Sequence, residues 1–204
     1  DSVLTNTGGS TDPFNRHNDY GPTSFDTTHA FVTSWVWSVP SGSWKKGGKG
    51  AIAGNWQVNG IWTMYSGTPV LITSSVDRAL YGLPNRPNRI VNPRLDTSRP
   101  RQQQIAQYFN TAAYAVNLPG QFGNAPRADG QLRNPGSITV NLGVFKSFRG
   151  IAESHKLQFR SEFFNVFNRP NFGAASSNFD GACFGCLTSA ADGRLIQFAL
   201  KYIF

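Results

Sequence analysis

Apolar and polar residues alternate with a period of two in five separate stretches of the chain, the pattern of strands with one apolar face. The first covers 29–39, with Phe31, Thr33, Trp35, Trp37 and Val39 on one side. In the second, from residue 55, Trp56, Val58, Gly60, Trp62 and Met64 oppose Gln57, Asn59, Ile61, Thr63 and Tyr65. Residues 69–73 are expected to prolong it, giving a strand over 55–73. The third, 137–148, sets Ile138, Val140, Leu142 and Val144 against Thr139, Asn141, Gly143 and Phe145. The fourth, 155–167, sets Leu157, Phe159, Ser161 and Phe163 against Gln158, Arg160, Glu162 and Phe164. The fifth, 194–204, places Ile196, Phe198, Leu200, Tyr202 and Phe204 together and ends on that aromatic residue. The pattern predicts an all-β chain, an antiparallel meander of about five long strands.

Each stretch has roughly the ten residues that a tilted strand needs to cross hydrocarbon. The polar sides of the second, third and fourth strands suit a wet or plugged lumen. They suit a dry sandwich core badly, because every buried polar group there needs its own partner. The connections also alternate. A basic Gly-rich link at 41–49, with Lys45, Lys46 and Lys49, is followed by a long loop at 76–135. A short turn near 149–154 is followed by a second long loop at 169–193. Short, long, short, long is the rhythm of periplasmic turns and external loops in a transmembrane barrel. Counting back from Phe204 at the periplasmic edge puts both long loops, and residues 1 to about 28, outside. Five strands cannot close, so the barrel segment is expected to be incomplete. Within the first long loop, 102–116 is expected to hold one short helix with Ile105, Tyr108 and Phe109 on one face; 77–101 and 118–135 read as turn and coil.

Composition agrees with that picture. Charged residues are 15% of the chain, below the usual quarter of soluble domains, and aromatics are 13%. No run of 18 apolar residues predicts a membrane helix, which says nothing about strands. The N-terminus has neither a basic nor an apolar leader segment, so it is not read as a signal peptide.

The net charge is +8, and residues 76–135 carry eight Arg, no Lys and three Asp. No helix-turn-helix, zinc-finger or RNA-binding aromatic motif accompanies it, so nucleic acid is not an expected partner. Arg86, Arg89 and Arg94 are the candidates for contact with an anionic solute; a plain solvated loop is the alternative. On the polar side of the fourth strand, Arg160 and Glu162 are either solute or plug contacts or an ion pair in the wall. Trp35, Trp37, Trp56, Trp62 and Tyr202 read as an interfacial girdle.

Cys183 and Cys186, in Cys-Phe-Gly-Cys, lack the further ligands a zinc site needs. They are read as a small disulfide-closed loop in an oxidising compartment, with free thiols as the alternative. No metal site, cofactor or catalytic set is expected, and His17, His29 and His155 read as surface residues.

Four stretches carry a family resemblance. They are Gly54-Asn-Trp-Gln-Val-Asn-Gly-Ile-Trp-Thr-Met-Tyr-Ser-Gly-Thr-Pro-Val; Tyr108-Phe-Asn-Thr-Ala-Ala-Tyr with Phe122-Gly-Asn-Ala-Pro-Arg and Leu132-Arg-Asn-Pro-Gly; Leu157-Gln-Phe-Arg-Ser-Glu-Phe-Phe-Asn-Val-Phe-Asn-Arg-Pro-Asn-Phe-Gly; and the final strand. In this order they resemble the C-terminal part of TonB-dependent outer-membrane transporters, the Oar-like group in particular. The resemblance implies a place in the cell outer membrane of a Gram-negative-type bacterium. It also implies a barrel of about 22 strands around a plug, with active uptake of a solute through the TonB system. The implied partners are the lipid bilayer, the remainder of the barrel with its plug, and an unknown solute. The chain itself reads as a piece of such a protein, without plug or TonB-contacting segment. A barrel-anchored adhesin or surface-assembly protein is the rival reading.

Overall fold

The computed structural model describes residues 12, 14–40, 54–82, 85–149 and 155–204. The link carrying Lys45, Lys46 and Lys49, and the turn at 150–154, lie outside the described residues. The chain divides into two units. One comprises His29–Tyr65, Ser137–Asn171 and Ala191–Phe204; the other comprises Asp1–Thr28, Ser66–Gly136 and Phe172–Ala190.

The first unit is a five-stranded sheet. Its strands are β1 (Ala30–Ser38), β2 (Trp56–Tyr65), β7 (Ser137–Arg149), β8 (Lys156–Phe164) and β9 (Leu195–Ile203), in that spatial order. Every neighbouring pair is antiparallel. The register carries the sequence alternation across the whole sheet. Trp35 stands opposite Gly60, and Gly60 opposite Leu142. Phe145 stands opposite Arg160, and Arg160 opposite Ala199. Paired residues project to the same side. One side therefore gathers Trp35, Trp37, Trp62, Val140, Leu142, Phe159, Phe198 and Leu200. The other gathers Gln57, Asn59, Thr139, Asn141, Gln158, Arg160 and Glu162.

Among the described residues no second layer seals the apolar side: Phe198 and Leu200 remain 68% and 66% exposed. In water such a patch drives association; against acyl chains it is the favoured state. The nine or ten residues of β1, β2, β8 and β9, at about 3.3 Å each and tilted by about 40°, project to roughly the 25 Å apolar band of a barrel. The sheet is open, with β1 and β9 at its edges.

At mid-sheet the Trp35 indole lies across Gly60, with ring atoms 2.7 Å from where a Cβ at 60 would stand. A central Gly weakens a strand, and here the indole covers it. Gly60→Val is expected to push the indole away and destabilise the folded barrel by about 1–3 kcal/mol. The check is a thermal melt with tryptophan emission; unchanged values in both would contradict the contact.

Three asparagines organise the exit from β8. Asn165 and Asn168 adopt left-handed φ of 51°, a region Asn tolerates better than most residues. The Asn165 side chain accepts from the Arg169 N–H (3.0 Å) and donates to the Arg169 carbonyl (2.9 Å). Asn168 Oδ1 accepts from the Arg194 N–H just before β9, at 2.9 Å. The Asn171 amide accepts from the Ile138 N–H (2.9 Å) and donates to the Ile138 carbonyl (3.0 Å), standing in for a strand at the start of β7. The Phe-Asn-Val-Phe-Asn-Arg-Pro-Asn stretch thus ends one ladder and begins two others.

The second unit corrects the sequence reading. The second strand does not continue to residue 73: β2 stops at Tyr65, and Pro69–Val70 forms β3. β3 pairs with β6 (Asp129–Arg133) in a separate small sheet. A further pair joins β4 (Asn88–Arg89) to β5 (Tyr114–Ala115). The short helix expected within 102–116 is α1, Arg101–Ala106, which stops before Tyr108 and Phe109. It ends because the Tyr108 N–H bonds the Gly185 carbonyl at 2.6 Å, which leaves the helical ladder.

The two long loops are one folded body, not separate coils. Val70, Ile72, Phe109, Ala113, Tyr114, Ala125, Leu132, Ala175 and Leu187 form a shared core. Short bridges join Thr73 to Asn178 and Ala175 to Leu187. Gly123 is needed where the chain passes the 86–87 segment; a Cβ there would stand 1.7 Å from the Arg86 carbonyl oxygen.

Candidate functional site

The loop body is tied by ion pairs between residues distant in sequence. Arg86 is 4% exposed; its guanidinium donates to the Asp19 carboxylate at 2.5 Å and to the Asn18 carbonyl at 3.0 Å. Burial lowers the Arg86 pKa, and the Asp19 charge opposes that shift. Arg89 pairs with the buried Asp129 at 2.7 Å. Arg133 pairs with Asp26 at 2.5 Å and also donates to the Gly67 carbonyl.

Arg78 pairs with Asp180 at 3.1 Å. Burial pushes the Asp180 carboxyl up, but bonds from Ser74 Oγ, the Ser75 and Val76 N–H groups and Arg78 outweigh it and hold the pKa below its ordinary value. These are stitches that position the loops.

Arg94 has a different setting. It is exposed, and its one side-chain bond among the described residues runs from Nε to the Gln131 carbonyl. It lines a cleft of about 260 Å³ with Arg99, Arg133, Asp96, Gln104 and Tyr108. Arg99 donates to the Asp96 and Gln107 carbonyls at 2.9 and 3.0 Å, which fixes its fork at the cleft wall. The Tyr108 hydroxyl donates to the Arg133 carbonyl at 2.8 Å, and burial raises its pKa. Among the described residues Asp96 is the sole carboxylate in the lining, held in its charged form by bonds from Ser98. Arg133 is already engaged by Asp26, so the cationic surplus rests on Arg94 and Arg99. Such a wall can hold a carboxylate, phosphate or sulfate through charge-assisted, fork-shaped bonds.

The three loop arginines singled out from sequence therefore divide. Arg94 faces a cleft, whereas buried Arg86 is paired with Asp19, and Arg89, 32% exposed, is paired with Asp129. Arg160 and Glu162 sit in the sheet unit on its polar side. Among the described residues no ion pair joins them. Arg160 instead lies over the Phe145 ring, 4.6 Å from its centroid, a cation–π contact.

Cys183 and Cys186 are disulfide-bonded, with Cα atoms 5.6 Å apart. The loop they close delivers Phe184 to the core, edge-on to Phe109, Tyr114 and Phe179 at centroid distances of 5.2, 5.7 and 5.4 Å. Among the described residues no three His, Cys, Asp or Glu side chains gather as metal ligands.

Sequence reasoning missed several of these residues. Lys146 interrupts the apolar side of β7, yet it is 2% exposed: its amine reaches the Gly54 carbonyl and lies 5.3 Å above the Trp56 ring. A lone Lys near a strand end, flanked by aromatics, is the signal that a cation bends back from the apolar side. Of the aromatics read as a girdle, Trp62 lies toward one end of the sheet, and Trp37, Trp56 and Tyr202 toward the other. Trp35 is central, over Gly60, and does not belong to that girdle. His17 and His29 are exposed, and His155 bonds the Tyr202 hydroxyl.

No curated protein and no solved structure matches the chain. A family described as an outer membrane beta barrel domain does, over residues 1–197. An open antiparallel sheet, apolar on one side and polar on the other, is what a section of such a barrel requires. The chain belongs to the outer membrane beta barrel domain family, and its place is the outer membrane of a Gram-negative bacterium.

Proposed function

We propose that the chain is a wall section of a TonB-dependent transporter, and that its loop body receives an anionic solute for active uptake. The observation that carries this reading is the cleft where exposed Arg94 and anchored Arg99 outnumber Asp96. The order of resembling motifs supports the transporter class. The open edges of β1 and β9 call for the remainder of the barrel, whose lumen would hold the plug and pass the TonB stroke inward.

The test uses the full-length protein in cells, offered carboxylate-, phosphate- and sulfate-bearing probes. Arg94→Gln is expected to weaken uptake of the accepted anion about tenfold, the worth of one charge-assisted bond. A protonophore is expected to stop uptake. Anion binding that persists without uptake, indifferent to the protonophore, would replace transport with anchored adhesion. Uptake unaffected by both changes would end the assignment of the cleft and of energised transport.

A further inference from the structure

A second recess lies in the sheet unit, on the apolar side, where β2 ends and β7 begins. It measures about 390 Å³ and is lined by Trp62, Ile138, Val140, Asn165, Phe167 and Arg169. Its floor follows from the register: Trp62 stands opposite Val140, and Met64 opposite Ile138, all on the apolar side. Its wall follows from the asparagine turn. The Val166 N–H donates to the Val140 carbonyl at 2.9 Å, and the Asn165 N–H to Asn141 Oδ1 at 2.9 Å. These bonds fold 165–169 back along β7, where β8 no longer pairs. The Asn165 side chain clamps both backbone groups of Arg169. Phe167 stays 76% exposed and Trp62 42% exposed.

Arg169 is the exceptional member. Its backbone is fixed and its side chain is exposed. Among the described residues no carboxylate pairs with its guanidinium. The four arginine–aspartate pairs found among those residues all lie in the other unit. A fixed cation without a carboxylate thus borders an apolar recess on the side that meets acyl chains. A soluble anion has no reason to seek that side, and an uncharged apolar partner leaves the guanidinium unanswered. A bilayer lipid with an anionic phosphate headgroup answers both halves. Its acyl chain fits over Trp62, Ile138, Val140 and Phe167, and its phosphate takes the guanidinium fork.

We infer that this recess is a binding site for one anionic phospholipid-like lipid of the membrane. The inference rests on the outer-membrane placement and not on transport. In the test, delipidated full-length protein in neutral detergent is titrated with phosphatidylglycerol or with zwitterionic phosphatidylcholine, and bound lipid is counted by native mass spectrometry. The wild type is expected to hold one phosphatidylglycerol that Arg169→Gln binds about tenfold more weakly. Phosphatidylcholine occupancy is expected to be the same in both. Arg169→Lys is expected to recover most of the preference, because the charge is kept. Equal phosphatidylglycerol occupancy in wild type and Arg169→Gln would overturn the site. So would equal loss of both lipids, or a detergent-stable dimer that excludes them.

Discussion

Arg86→Met is expected to destabilise the loop body by about 3 kcal/mol, the lower end for a broken buried pair. The side chain is 4% exposed and Asp19 is 16% exposed, so removing the cation takes from a largely desolvated carboxylate the guanidinium that faces it. The loss of the Asn18 carbonyl bond adds to the cost. Met fills much of the same volume, which isolates charge from packing. The effect is read in the full-length protein as faster hydrogen exchange at the amides of Ile72, Phe109 and Ala113 under rising denaturant. Arg86→Met combined with Asp19→Asn is expected to recover part of the loss, as the opposing charge is removed as well. Loss of solute binding with unchanged exchange would instead return Arg86 to the role of a ligand contact.

Phe109→Ala is expected to be at least as damaging, at about 3–5 kcal/mol. Phe109 is fully buried and meets Tyr114 and Phe184 edge-on at 6.1 and 5.2 Å. Its removal opens a cavity at the point where the two long loops share their core. Protease added to intact cells is therefore expected to cut both 66–136 and 172–190 in the variant, while the membrane sheet stays folded. Cutting confined to one of the two loops would contradict a shared core.

The barrel half of the molecule was legible because its signal is local and periodic. The stretches 29–39, 137–148 and 194–204 match β1, β7 and β9 to within a residue or two, and parity alone sorted their faces. The loop body was hidden for the opposite reason. Ala125, Leu132, Ala175 and Leu187 are scattered singly among polar, Gly and Pro residues, and Val70 and Ile72 read as the tail of a barrel strand. Their contacts are long-range: Arg133 meets Asp26 across 107 positions, and Arg78 meets Asp180 across 102. Charge counting found an excess of Arg but could not assign partners, so Arg86 and Arg94 looked alike. The short helix within 102–116 was legible but its apolar face was not, because Tyr108 and Phe109 lie past its end and Phe109 packs in the core. The turn asparagines were visible as a motif, but their bonds to β7 and β9 follow from geometry that only pairing supplies.

The shared core of the loop body has a consequence for how such proteins vary. Ser66–Gly136 and Phe172–Ala190 are separated by the β7–β8 hairpin, yet both supply residues to one hydrophobic cluster. Transplanting either excursion by itself onto a related scaffold would carry its nonpolar residues away from their counterparts. Chimeras with exchanged recognition must move both excursions together, and lineages that diverge in one should show compensating change in the other.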